Sequence, residues 1–213
     1  MKNPFINFSE IKEKAASAKI VAVSKYQSDR DIALMSSFGI EDFGENQVQQ
    51  FLKRQIAFPK LNWHFIGQLQ TNKVKYLINK VYLIQSLDSI KLAQKIQEQS
   101  LKNNTITDCL IQLRFEDNDQ KGGVTIEQLD KLYNYCRNCP NISIKGFMVI
   151  APLSQGEEVI IDVFSKTKDI FANYQKEDKN IQYLSMGMSS DYVEALKCGA
   201  NMLRIGEKLF TKE

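Results

Sequence analysis

The chain of 213 residues contains one histidine, one tryptophan and four prolines. A single histidine excludes a metal triad built on imidazoles. There are four cysteines, Cys109, Cys136, Cys139 and Cys198. Cys136 and Cys139 form one CxxC, but no second Cys or His pair stands at zinc-ligand spacing. The thiols therefore read as reduced side chains in a reducing compartment. No apolar run approaches the length needed to span a bilayer. The opening MKNPFINFSEIKEKAASAK lacks the apolar core of a secretory signal. These absences predict a cytoplasmic protein with no membrane partner. The net charge is only +3, and no dense basic run interleaves with aromatics, which argues against nucleic acid. No Pro/Gly/Ser-rich linker interrupts the chain, so residues 1–213 read as one domain.

What is present is ordinary in amount and regular in order. Hydrophobic residues make up 43% and charged residues 25%, enough for a soluble domain with a substantial core. Short apolar runs predict strands at 19–25, 41–46, 62–67, 81–87, 108–114, 144–151, 181–187 and 201–210. Helical patterns fill the gaps. SDRDIALMSSFG starts with cap-like Ser28 and Asp29 and stops at Gly39. LDSIKLAQKIQEQSLKNN repeats apolar residues at helical spacing. TIEQLDKLYNYCRN begins at Thr125, and SSDYVEALKCGA begins at a serine cap and ends at Gly199. Eight strands alternating with helices predict an α/β fold, a single (β/α)8 TIM barrel. A doubly wound sheet would more often carry a glycine-rich loop after its first strand, and here that position holds SKYQSD.

Active sites of such barrels form at the C-terminal ends of the strands. Those ends supply Lys25, Glu45 with Asn46, His64 with Gly67, Ser86, Arg114, Met148, Ser185, and Arg204 with Gly206. Lys25 is either a lysine emerging into water along an apolar stem or an amine placed to capture an aldehyde. In SMGMSSDYVEAL, Ser189 or Ser190 reads as a helix cap. The same backbone N–H groups and hydroxyl could hold an anion, in the loops after strands seven and eight where barrels often hold phosphate. Arg204, one of five arginines, is either a rim ion pair or the partner of a cofactor ring nitrogen. His64, between Trp63 and Phe65, reads as a hydrogen-bonded structural residue rather than a catalyst.

AVSKYQ, FGENQVQ, WHFIGQLQTNK, IKGFMVI, LSMGMSSDYVEAL and LRIGEKLF closely resemble the signature blocks of the pyridoxal phosphate homeostasis proteins. The resemblance runs from about Val21 to Phe210. It implies a fold-type III barrel like the N-terminal domain of alanine racemase. It implies pyridoxal 5'-phosphate (PLP) held as a Schiff base on Lys25, with Ser189 on the phosphate and the backbone of Gly206 and Glu207 completing that cradle. Arg204 would face the pyridine nitrogen, and Asn46 and Met186 would line the ring pocket. The implied role is to carry and buffer PLP in vitamin B6 homeostasis, as a monomer delivering it to PLP-dependent apo-enzymes, with no catalytic residue.

Three departures from the family pattern stand out. Glu207 replaces a small, often hydroxylated residue; its carboxylate would repel a phosphate, so it is expected to turn away and offer only its N–H. The helical lead-in before the first strand is short, limited to about residues 5–18. Thr211 stands where a glycine usually follows the C-terminal IF. Lys121, in DQKGG, resembles a family lysine near the site.

The alternative is a PLP-dependent amino-acid racemase of the alanine racemase fold. A racemase needs a second acid/base on the opposite face of its substrate, and Tyr26 is the nearest tyrosine. An arginine on the pyridine nitrogen leaves that nitrogen unprotonated and weakens the ring as an electron sink. Both points favour a carrier without turnover.

Overall fold

The computed structural model describes residues 4–115, 122–152 and 155–210. Among the described residues, nine strands form in chain order: β1 (Lys19–Val23), β2 (Asp42–Glu45), β3 (Asn62–Phe65), β4 (Leu83–Leu87), β5 (Thr107–Arg114), β6 (Val124–Thr125), β7 (Ile142–Val149), β8 (Tyr183–Ser185) and β9 (Met202–Ile205). Adjacent strands run β4-β3-β2-β1-β9-β8-β7-β5, and a β4–β5 pairing closes the ring. Every pairing is parallel. The eight-stranded barrel expected from the sequence is thus present. The two-residue β6, which pairs with β5, carried no apolar run that would announce it.

Strand alternation divides the wall into two layers. Val21, Leu83, Leu110, Met148 and Met202 form one buried cluster inside the barrel. Their strand neighbours, including Ala22, Phe43, Trp63, Ile84, Ile111, Phe147 and Leu203, belong to the larger cluster under the helices. Burying each large side chain of that outer layer contributes about 1.5–3 kcal/mol, so the helix–strand seam dominates the fold's stability.

The helices are α1 (Pro4–Ala15), α2 (Asp29–Ser37), α3 (Val48–Ala57), α4 (Ile90–Lys102), α5 (Ile126–Arg137), α6 (Glu157–Glu177), α7 (Tyr192–Lys197) and α8 (Glu207–Phe210); a 3-10 segment, Thr71–Tyr76, links β3 to β4. Ser28 caps α2 as expected, in a capping box: its hydroxyl accepts from the Asp31 amide, and the Asp31 carboxylate accepts from the Ser28 amide. The helix read from Leu87 starts later, after its Ser89 cap.

Two expectations are corrected. The segment 201–210 is not one strand: β9 ends at Ile205, and α8 begins at Glu207. Gly206 marks the change, and its carbonyl accepts from the amides of Leu209 and Phe210. The N-cap position of α7 is Asp191 rather than a serine, and no side chain caps the helix there. The Asp191 carboxylate closes the preceding turn by accepting from the Met188 amide, which leaves the Ser189 hydroxyl to point elsewhere.

Among the described residues, no helix is long and apolar enough to cross a membrane. No group of three or more His, Cys, Asp or Glu side chains among them could hold a metal ion. All four cysteines are free.

Candidate functional site

At the C-terminal ends of the strands lies a cleft of about 820 Å³, and Lys25, Ser189, Arg204, Gly206 and Glu207 all line it. Lys25 stands two residues beyond β1 and is exposed. The backbone beneath it is well fixed. Ser24 is fully buried, and its hydroxyl donates to Glu45 Oε1 at 2.7 Å. Glu45 is itself 1% exposed. Burial pushes its carboxyl above the usual range, and the Ser24 hydrogen bond offsets part of that rise. Arg54, on α3, donates to the Gln27 carbonyl, pairs with the Asp29 carboxylate and brings its Nε to 3.9 Å from Glu45 Oε1. One arginine therefore clamps the segment that presents Lys25. Within that segment Tyr26 has φ +67°, a left-handed conformation that costs a residue with a side chain roughly 1 kcal/mol. Its ring is 89% exposed and centred 6.0 Å from Lys25 Nζ.

The opposite wall of the cleft joins two loops. Ser189 Oγ accepts from the amides of Gly206 and Lys208, both at 3.3 Å. A serine hydroxyl has two lone pairs and one proton. With both lone pairs engaged, the O–H remains to donate into the cleft, which suits an anionic acceptor. The amides that meet Ser189 flank Glu207, whose side chain is exposed at the first position of α8. The Ser189 loop bends back over α7 at Gly187, with φ +90°. A Cβ there would come within 2.6 Å of the Ala195 Cβ, so only glycine permits this loop path. Asp191, 2% exposed, sits behind the loop with Oδ2 lacking a hydrogen bond. Burial raises its carboxyl above the ordinary value, against the Met188 amide and the charge of Arg204.

Arg204 supplies the floor of the cleft. It is 4% exposed, one residue before the end of β9 and in register with Val21 of β1. Its Nη1 donates to Ser185 Oγ at 2.7 Å and its Nη2 to the Val149 carbonyl at 2.8 Å. Burial lowers its pKa to about 10, partly countered by Asp191. The group stays a cation at neutral pH, with its orientation fixed from two strands.

The other expected residues fall around this cleft rather than on its lining. Asn46 is half-buried just past β2, with Gly67 against it so closely that a Cβ would meet the Asn46 carbonyl oxygen at 2.2 Å. Met186 is fully buried and packs in the cluster under the helices; Met188, two residues on, lines the cleft instead. His64 is fully buried and hydrogen-bonded through both ring nitrogens, as a structural histidine should be. Lys121 lies outside the described residues. Two contributors were not singled out by sequence. Arg54 sits in a polar-looking helix with no local signal. Gln85 interrupts the apolar strand YLIQSL two residues after Leu83, and period-two alternation places it on the inner face.

The chain matches the family described as alanine racemase, N-terminal domain, over residues 5–212. A pyridoxal phosphate homeostasis protein of Aquifex aeolicus is 41% identical over 196 residues, 91% of this chain and 86% of the relative. One from Helicobacter pylori is 38% identical, over 90% of this chain and 86% of the relative. Among solved structures, PipY of Synechococcus elongatus with PLP bound superposes with a TM-score of 0.90 at 27% identity, covering 98% of this chain and all of that one. The barrel thus agrees with sequence kinship over nearly the whole chain, and the protein belongs to the pyridoxal phosphate homeostasis family within the alanine racemase N-terminal domain group.

Proposed function

We propose that this protein binds PLP and serves to carry and buffer it, with Lys25 as the anchoring amine. The observation that carries this reading is the convergence, on one cleft, of an exposed lysine, a buried arginine and a serine hydroxyl held by two backbone amides. That donor set fits the cofactor: an amine for the aldehyde, a cation for the ring nitrogen and neutral donors for the phosphate. What bound PLP supplies is an aldehyde carbon that an amine can capture. The chain's own part is to hold that amine on a clamped loop, to fix the guanidinium and to offer the Ser189 O–H beside the Gly206 amide. Asn46 and Met186, which the resemblance assigns to the ring pocket, lie outside the residues that line the cleft. Glu207 contributes its backbone, with its side chain on the exposed side of α8.

The relatives named as homeostasis proteins, and the PLP-bound neighbour, support the same reading. The proposal extends to a single domain over 1–213, a monomer in the cytoplasm that delivers PLP to apo-enzymes. A racemase would need an acid or base facing Lys25 across the substrate, and Tyr26, almost wholly exposed, makes no part of the cleft wall.

The test is borohydride reduction of protein incubated with PLP, followed by peptide mass analysis. The cofactor mass should appear on the peptide containing Lys25 and vanish in Lys25→Ala. Label on another lysine would reassign the anchor. Incubation of the loaded protein with L- or D-alanine should leave each enantiomer unchanged; interconversion would make the protein a racemase.

A further inference from the structure

Behind Arg204 a line of polar side chains runs through the barrel interior. Arg204 Nη1 donates to Ser185 Oγ at 2.7 Å, and Ser185 Oγ donates to Gln85 Oε1 at 2.7 Å. Gln85 Nε2 meets His64 Nδ1 at 2.9 Å, and His64 Nε2 meets Asp42 Oδ1 at 2.9 Å. Lys19, at the start of β1, pairs with Asp42 Oδ2 at 3.3 Å. The four uncharged or buried links, Ser185, Gln85, His64 and Arg204, are each 4% exposed or less.

The direction of every hydrogen bond follows from one end. Arginine has no acceptor, so the Ser185 oxygen accepts from it and the serine proton goes to Gln85. The Gln85 carbonyl oxygen therefore faces Ser185 and its NH2 faces His64. That makes His64 Nδ1 an acceptor and leaves the ring proton on Nε2, where the Asp42 carboxylate receives it. A cation at the cleft and an anion at the opposite end of the barrel are thus joined by donors that all point one way, an arrangement in which each bond polarises the next. Burial holds His64 below its ordinary pKa, against the pull of Asp42, so the ring is neutral. Burial pushes Asp42 up, but the hydrogen bonds from His64 and Lys19 and the charge of Lys19 outweigh it and hold its carboxyl below the usual range. Beside the column, the Tyr82 ring is centred 5.2 Å from His64; Tyr82 bonds Tyr183 and feels the charge of Asp108, and Lys19 acts on His64 by its charge. Gln85 Nε2 also meets Met202 Sδ at 3.3 Å.

We propose that Ser185, Gln85 and His64 are positioning residues that fix Arg204 through a unidirectional hydrogen-bond column, and that ligand occupancy at Arg204 is transmitted along it to His64. The first half stands on the geometry alone, and the second rests on the reading of the cleft as a PLP site.

The sole histidine makes the column observable. In protein labelled with 15N-histidine, without ligand, the imidazole should show a protonated Nε2 and a bare Nδ1, unchanged from pH 6 to 8. A proton on Nδ1, or titration in that range, would overturn the column. On loading with PLP, both ring nitrogens should shift. In Ser185→Ala that response should be lost while the protein still takes up PLP, and Ser185→Thr, which keeps the hydroxyl, should restore it. A loaded wild type with unmoved resonances, or a shift that survives Ser185→Ala, overturns the transmission. Failure to take up PLP at all would overturn the proposed function instead, and the ligand-free resonances would still decide the column.

Discussion

The hydroxyl of Ser189 stands 3.3 Å from the amide nitrogen of Gly206, seventeen residues further along the chain. This bond ties the β8–α7 loop to the β9–α8 loop and leaves the serine proton directed at whatever fills the cleft. Ser189→Ala should weaken PLP binding about tenfold, or ~1.4 kcal/mol, in keeping with one lost hydrogen bond to a charged acceptor. Titration with pyridoxal, which lacks the phosphate, should give the same affinity for both proteins. Equal PLP affinity in the variant would remove Ser189 from the anion site.

Arg54 holds Gln27, Asp29 and Glu45 at once. Arg54→Ala should cost about 1–3 kcal/mol of stability, because buried Glu45 loses its nearest cation and a carbonyl loses its donor. It should also slow borohydride-trappable attachment at Lys25, since the segment carrying that amine is no longer clamped. Urea midpoints and a trapping time course read the two effects separately. Arg54→Lys should rescue little, because an ammonium cannot span three acceptors as the guanidinium fork does. Wild-type trapping in Arg54→Ala would show that the clamp is irrelevant to Lys25.

Acid should destabilise the protein through His64. Its pKa is lowered in the folded state, so below about pH 6.5 the unfolded chain binds a proton that the folded one refuses. The stability present above pH 6.5 is lost as pH falls toward the folded value, by at most about 1.4 kcal/mol per pH unit. Glu45 and Asp191, both raised by burial, act in the opposite sense, gaining stability on acidification through their folded values. Melting curves of wild type and His64→Gln between pH 7 and 5.5 separate these contributions. The wild type should lose more stability over that interval; parallel curves would mean that His64 binds its proton equally well in the folded and unfolded chain.

The barrel was legible because each strand is a compact apolar run and each gap has helical spacing. The places of Lys25 and Arg204 on the cleft were legible for a related reason: both are basic residues at the C-terminal ends of such runs. The end of β9 was not, since Gly206 to Phe210 continues an apolar rhythm that suits strand or helix, and only the turn at Gly206 decides between them. The serine cap on α7 failed through competition: Asp191 bonds the Met188 amide, and the nearby serine is drawn to another loop. Arg54 was out of reach because its partners lie on segments distant in sequence. Gln85 was not out of reach; alternation along β4 places it with Leu83, and a polar residue there asks for a buried partner.

The barrel wall separates two populations of side chains. One faces the helices and fixes the shape, and the other faces the axis and fixes the chemistry. Because consecutive residues of a strand alternate between them, inner positions are free to diverge while the helices stay seated. On this plan a polar line from Arg204 to His64 can run down the axis while the helices rest on a separate apolar layer.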